Sequence, residues 1–341
     1  MLRYRLIAFG LFLVLGLNLL MAGQQRFAYL GDFKLESGAV IKNCKIGYRT
    51  FGRLNSARDN AILFPTWFGG TSEHLGRLIG PEGLIDSTRY FIIAVDALGN
   101  GVSSSPSNSP EQPDEKFPSF TITDMVRSQY RLLTEHLHIN HLFAVIGGSM
   151  GGMQTFEWMV RYPDFMKKAV PYVGTPQFSS YDVLLWRQAL EILNIGWKYR
   201  VPADSVRALL KALIALNART PEWIVENWTV DFVKQRFEAL FDGEPSTFTN
   251  RNFEAQARAM LQHDISKIEN GDWQKVARRV KARVLIINVE TDHMVNHKAA
   301  VRFAQLINAR TFTLNDPCGH LAIGCQLKRV SAVIKQFLEN E

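Results

Sequence analysis

Residues 141–164 read HLFAVIGGSMGGMQTFEWMVRYPD. The stretch opens on an apolar run, then packs Gly147, Gly148, Gly151 and Gly152 around one serine, Ser149. A short, continuously apolar run suits a strand buried on both faces. Glycines crowded at its end mark a sharp turn rather than a simple continuation. Whether that turn is a loose loop or the seat of a nucleophile depends on what lies around it.

Upstream, NAILFPT (60–66) and YFIIAVDAL (90–98) are further short apolar runs rich in Ile, Phe and Val. Between the second of these and the opening stretch lies TITDMVRSQYRLLTEHLHI (121–139), apolar at helical spacing, with Thr123 or Asp124 as N-cap. That is a βαβ pattern, so an α/β fold with a parallel sheet. ESGAVIKNCKIGYRTFG (36–52) alternates like an antiparallel hairpin. From about Gly174 to Ser266 the period turns helical: YDVLLWRQALEILNIGWKYR, DSVRALLKALIALNAR and PEWIVENWTVDFVKQRFEALF show no strand between them. ARVLIINVE (282–290) then restores a buried strand, NHKAAVRFAQLIN a helix, ARTFTLN a strand and LKRVSAVIKQFLEN a closing helix. The expected organisation is an α/β core over 24–175 and 266–341, interrupted by a helical lid insertion of roughly ninety residues over 176–265.

Composition excludes several classes. With 47% apolar and 21% charged residues, the chain has the make-up of an ordinary globular protein. Residues 1–23 differ: MLRYR carries two arginines and LIAFGLFLVLGLNLLMAG follows uncharged. This reads as a secretory signal peptide or an uncleaved N-terminal anchor, a membrane tether through residues 1–23 in the second case. Either way the body is expected outside the cytoplasm, secreted or periplasmic. Loss of Arg3 and Arg5 lowers the formal charge from +7 to +5, a dispersed surplus with VARRVKAR its densest part. No basic stripe with interleaved aromatics is present, so no nucleic-acid partner is expected. Of the three cysteines, Cys318 and Cys325 are close enough in sequence to pair, and Cys44 makes the count odd. His293 and His297 stand at i and i+4, but no third ligand accompanies them, so no metal is expected.

An apolar strand, then Gly147-Gly148-Ser149-Met150-Gly151, then a helix, is the G-x-S-x-G nucleophile elbow in its strand–turn–helix setting. The serine must sit on a strained turn, and bulky neighbours would collide with the adjoining strand and helix. A hydroxyl is a poor nucleophile without a base, and the base needs an orienting acid. With this elbow the chain order is Ser, acid, His. His320 is the histidine placed after the last strand and before the closing helix. Asp292 lies in the loop after the preceding strand, with Glu290 and Asp316 as competitors. One oxyanion N–H belongs to Met150; the other comes from LFPTWFGGTSEH, at Phe68 or Trp67, where Gly69-Gly70 lets the backbone turn.

LESGAVIKNCKIGYRTFGRLN, TITDMVRSQYRLLTEHLHI, GGSMGGMQTFEWMVRYPD and RQAL at Arg187–Leu190 together resemble the homoserine O-acetyltransferase family of the α/β-hydrolase superfamily. The resemblance implies an α/β-hydrolase fold, a mostly parallel central sheet with helices on both faces, and acyl transfer through an acyl-serine. Ser149, Asp292 and His320 would be its triad and Met150 and Phe68 its oxyanion donors, with Trp67, Gly69, Arg187, Lys211 and Leu321 toward the substrate. The departures concern the acceptor. Where the family has an aspartate after the catalytic histidine, for the acceptor's ammonium, Leu321 stands here. Where it has an arginine and a tyrosine on a lid helix, alignment places Lys211 and Ala218. Lys does not replace the bidentate fork of Arg. A secretory signal also separates the chain from acetyl-CoA, a cytoplasmic metabolite. The expected function is a serine esterase on a small ester, without cofactor; retained homoserine O-acetyltransferase activity is the alternative, and a non-catalytic binding protein on this scaffold a third.

Overall fold

A single eight-stranded sheet carries the molecule, in the order β1-β2-β4-β3-β5-β6-β7-β8. The structure is a computed structural model and describes residues 23–240 and 247–340. The leader expected over residues 1–23 therefore lies outside the described residues, save Gly23. The strands are β1 (Arg26–Lys34), β2 (Val40–Phe51), β3 (Ala61–Pro65), β4 (Phe91–Val95), β5 (Leu142–Gly148), β6 (Met166–Tyr172), β7 (Arg283–Val289) and β8 (Arg310–Leu314). The β1–β2 and β2–β4 pairs are antiparallel; every other pair is parallel. The helices are α1 (Ser72–Gly76), α2 (Ile122–Arg131), α3 (Met150–Arg161), α4 (Ser180–Lys198), α5 (Ala203–Asn217), α6 (Pro221–Asn227), α7 (Val230–Ala239), α8 (Asn250–Leu261), α9 (Trp273–Arg279), α10 (Lys298–Leu306), α11 (Ala322–Cys325) and α12 (Leu327–Glu339).

Alternate residues of the parallel strands feed two separate cores. Leu63, Val145 and Ile286 join Met125, Phe156 and Phe303 on one face. Ile62, Ile146 and Ile287 join Val330, Ile334 and Phe337 on the other. Helices on both faces are why these strands read as unbroken apolar runs. The insertion is α4–α8, between β6 and β7, as the helical period indicated.

The structure departs from the sequence reading at four places. The hairpin pairs β2 with Arg26–Lys34, so the stretch 36–52 supplies one arm of it rather than both. Strand β6 has no counterpart in the apolar pattern, because it carries Lys167 and Lys168. Lys168 is buried and its ammonium donates to the carbonyls of Phe337, Leu338 and Asn340 at 3.2, 2.8 and 2.6 Å. A cation on the last carbonyls of α12 is electrostatically matched to that helix end. Thr121, not Thr123 or Asp124, caps α2; Asp124 is its capping-box partner, accepting from the Thr121 N–H at 3.1 Å. The stretch 221–239 is broken into α6 and α7 by a second cap at Thr229. Cys318 and Cys325 are disulfide-bonded with Cα atoms 6.6 Å apart. Cys44 is a buried free thiol that burial pushes up to about 12, so it is chemically quiet.

Candidate active site

Strand β5 delivers Ser149 at φ 55°, ψ −121°, between the strand and α3. A non-glycine residue at positive φ stores strain, and such strain persists only where the surroundings hold it. Here the Ser149 N–H donates to the Tyr172 carbonyl at 3.0 Å, and its own carbonyl accepts from Met153 at 3.0 Å. The flanking glycines have a steric reason. A Cβ on Gly147 would lie 2.2 Å from the Gly151 carbonyl oxygen, and one on Gly151 would lie 2.5 Å from that of Pro65.

The structure brings Ser149, His320 and Asp292 together. His320 Nδ1 lies 2.7 Å from Asp292 Oδ2 and its Nε2 lies 3.0 Å from Ser149 Oγ. A carboxylate accepts only, so Nδ1 carries the proton and Nε2 is left to accept from the serine hydroxyl. Asp292 is buried, and its other oxygen accepts from the Met294 and Val295 N–H groups at 2.8 and 2.9 Å. Neither competitor reaches the histidine. Glu290 is exposed; Asp316 accepts from the Cys318 N–H at 2.9 Å and from Gln326 at 2.6 Å, shaping the histidine's loop. Behind the acid, Asp182 of α4 accepts from the Asn296 N–H at 2.8 Å. Burial pushes the Asp182 carboxyl up, opposed by its hydrogen bonds from Asn296 and Ser179 and seconded by nearby Asp292.

Two glutamines brace the backbone expected to receive the oxyanion. Gln154 Nε2 donates to the carbonyls of Thr66 and Met150 at 3.0 and 3.1 Å, tying the loop after β3 to the first turn of α3. Its oxygen accepts from Gln129, whose own oxygen accepts from Trp158 Nε1 at 2.8 Å. Gln256 of α8 accepts from the Gly69 N–H and donates to the Leu98 carbonyl, both at 2.9 Å. The Phe68 ring stands edge-on to Trp186 and Phe253, each 4.8 Å away, so it both packs and faces the site.

A cavity of about 450 Å³ opens over Ser149 and His320, walled by Trp67, Phe68, Trp186, Met294, Leu321 and Arg219, among others. No Asp or Glu lines it among the described residues. Of the residues expected toward substrate, Trp67 and Leu321 line this cavity, and Gly69 and Lys211 line a neighbouring one. Ala218 lines both. Arg187 is not brought to the site: it lies on the exposed face of α4 and lines neither cavity, while its neighbour Trp186 faces inward. Sequence reasoning did not single out Gln154, Gln256, Asp182 or Arg219. Gln154 has a local signal, a polar side chain one helical turn beyond Met150; the others depend on how the insertion docks.

The chain and its fold are matched by known proteins. A model of the alpha/beta hydrolase fold matches residues 62–324. The chain is an α/β hydrolase. It is 31% identical over 310 residues to an ethyl acetate hydrolase of Pseudomonas veronii, covering 86% of this chain and 88% of that one. It is 28% identical over 353 residues to a homoserine O-acetyltransferase of Methanosphaera stadtmanae, covering 90% and 71%. The crystal structure of an acetylester hydrolase from Corynebacterium glutamicum superposes with a TM-score of 0.85 at 28% identity, over 93% of this chain and 96% of that one. This α/β hydrolase therefore sits in the homoserine O-acetyltransferase-like group, which includes esterases, and is an enzyme of that group.

Proposed function

We propose that this α/β hydrolase is a carboxylic ester hydrolase that works through an acyl-Ser149 intermediate and takes small esters such as acetates. His320 Nε2 receives the Ser149 hydroxyl proton as Oγ attacks the ester carbonyl carbon. The N–H groups of Met150 and Phe68 hold the negative oxygen that results. Asp292 keeps the imidazole in the required tautomer and steadies its positive charge. His320 then returns the proton to the leaving alkoxide, leaving Ser149 acylated. A water molecule, deprotonated by the same nitrogen, attacks the acyl carbon and releases the acid with Ser149 restored.

One observation carries the choice of water over an amino-acid acceptor. The cavity over Ser149 is apolar, and Leu321 stands where a carboxylate would hold an ammonium group. The ammonium group of a zwitterionic acceptor would lose its hydration there with no carboxylate on the cavity wall in return, a cost of several kcal/mol, while Arg219 offers a charge only to the acceptor's carboxylate. The names of two relatives, an ethyl acetate hydrolase and an acetylester hydrolase, support the same substrate class. Residues 1–23 support a secreted or periplasmic location, tested by fractionating cells that express the full chain.

The test is hydrolysis of p-nitrophenyl acetate with and without L-homoserine, the products identified by mass. Steady nitrophenol release with acetate as the acyl product is expected under both conditions. Acceleration by homoserine with O-acetylhomoserine appearing would assign the chain to acetyl transfer instead.

A further inference from the structure

A second cavity of about 850 Å³ lies under the insertion, between α5, α6, α7 and the start of α8. Its walls are hydrocarbon for the most part, with Leu210, Leu213, Ile224, Trp228, Val233 and Phe253 among them, and Arg207, Lys211, Arg219 and Arg236 also line it. It adjoins the cavity over Ser149, for Phe68, Ile214, Ala218, Arg219 and Leu321 line both. A groove this apolar that opens onto a catalytic serine is matched to a ligand's hydrocarbon, not to bulk water.

The shared wall includes Leu321, beside His320, and Phe68, an expected oxyanion donor. Leu321 directly follows His320. The turn from α5 to α6 is docked on the histidine's loop: Thr220 N–H and Oγ both donate to the Pro317 carbonyl, at 3.2 and 2.9 Å. A Cβ on Gly319 would lie 3.1 Å from the Arg219 Cα, so the two backbones are in contact. The oxygen that takes a proton from His320 Nε2 is the leaving alkoxide, so the group it carries departs on the side of His320, whose neighbour Leu321 lines both cavities.

We infer that the natural substrates are esters whose alcohol portion is a long apolar chain, the acyl group occupying the cavity at Ser149 and the alkyl tail lying under the insertion. This inference rests on the ester hydrolase reading and narrows it. Each additional methylene taken fully from water strengthens binding about fourfold. A chain that lies partly exposed gains less, so kcat/KM is expected to rise about two- to fourfold per methylene until the groove is filled.

The experiment measures kcat/KM for ethyl, butyl, hexyl and octyl acetate, and for ethyl acetate, butanoate, hexanoate and octanoate, on the unmodified enzyme and on two variants. Ala215→Trp places a large ring in the groove, and Val233→Asp places a charge on its wall at a position 40% exposed to solvent. The expected result is a rise along the alkyl acetates that both variants flatten, with the octyl-to-ethyl ratio falling at least tenfold. Alkyl acetates hydrolysed with a kcat/KM indifferent to alcohol length would overturn the inference and leave the hydrolase reading standing. A rise along the longer acids instead would overturn the assignment of the groove to the alcohol. No hydrolysis of any ester would overturn both the inference and the reading beneath it.

Discussion

Replacing Gln154 by leucine removes the amide that holds both segments expected to donate to the oxyanion. In the folded protein its Nε2 donates to Thr66 and Met150, and its oxygen accepts from Gln129, all in fully buried surroundings. Leucine fills similar volume but leaves the Thr66 carbonyl and the Gln129 amide without that partner. A buried polar group left unsatisfied costs about 1–3 kcal/mol, so two of them lower stability by about 2–6 kcal/mol. For catalysis, outright loss of an oxyanion donor lowers kcat by about 10²–10³, and a displaced loop loses part of that. The expected outcome is a kcat about 10–100-fold below wild type with little change in KM, the signature of an interaction made chiefly in the transition state. The assay is steady-state hydrolysis of p-nitrophenyl acetate well below the variant's Tm, beside inhibition by a trifluoromethyl ketone, whose serine adduct carries the same oxyanion. Inhibitor affinity is expected to fall in step with kcat. A variant with lowered Tm but wild-type kcat and inhibitor affinity would show that Gln154 only packs, and would refute the positioning role.

Asp292→Asn keeps the shape of the acid but leaves the imidazole in the wrong tautomer, so kcat should fall by about 10³–10⁴ with Tm little changed, measured by steady-state kinetics and calorimetry. Leu321→Asp supplies a carboxylate beside His320, and the share of acetyl groups captured by L-homoserine, read by mass as O-acetylhomoserine, should rise several-fold. His263 is buried with Nε2 3.1 Å from the Thr175 carbonyl, and burial lowers it from 6.5 to about 4, against smaller upward effects from that hydrogen bond and Asp264. A lowered value means the unfolded chain binds the proton first, so stability is present above 6.5 and is lost as pH falls from 6.5 toward about 4, by about 3 kcal/mol in full. His263→Gln should flatten that part of the stability–pH curve in urea titrations; an unchanged slope would refute the assignment.

The parts of this fold that sequence made legible are those whose causes are local. Strands β3, β4, β5 and β7 show as apolar runs because helices cover both faces. Ser149 shows through glycines that steric contact requires, and His320 through chain order alone. Strand β6 stayed hidden because Lys168 finds its partners at the far end of the chain, on the carbonyls that close α12. The start of α2 expected from its letters, with Thr123 or Asp124 as cap, is two or three residues late, since Asp124 completes a capping box with Thr121 instead of capping the helix itself. Family resemblance carried Arg187 toward the substrate, but resemblance transfers a residue and not the helix face it occupies. Arg219 and Gln256 reach the site only through the docking of the insertion, a tertiary fact without a local signature.

Diethyl p-nitrophenyl phosphate transfers a phosphoryl group to an activated serine and stays there, because water cannot displace it from the same geometry. Incubation of the enzyme with this reagent, followed by peptide mapping by mass, tests the central claim most directly. One diethylphosphoryl group on Ser149, appearing in step with the loss of esterase activity, is the expected result. Full inactivation with the label on any other residue, or full activity with Ser149 labelled, would contradict it.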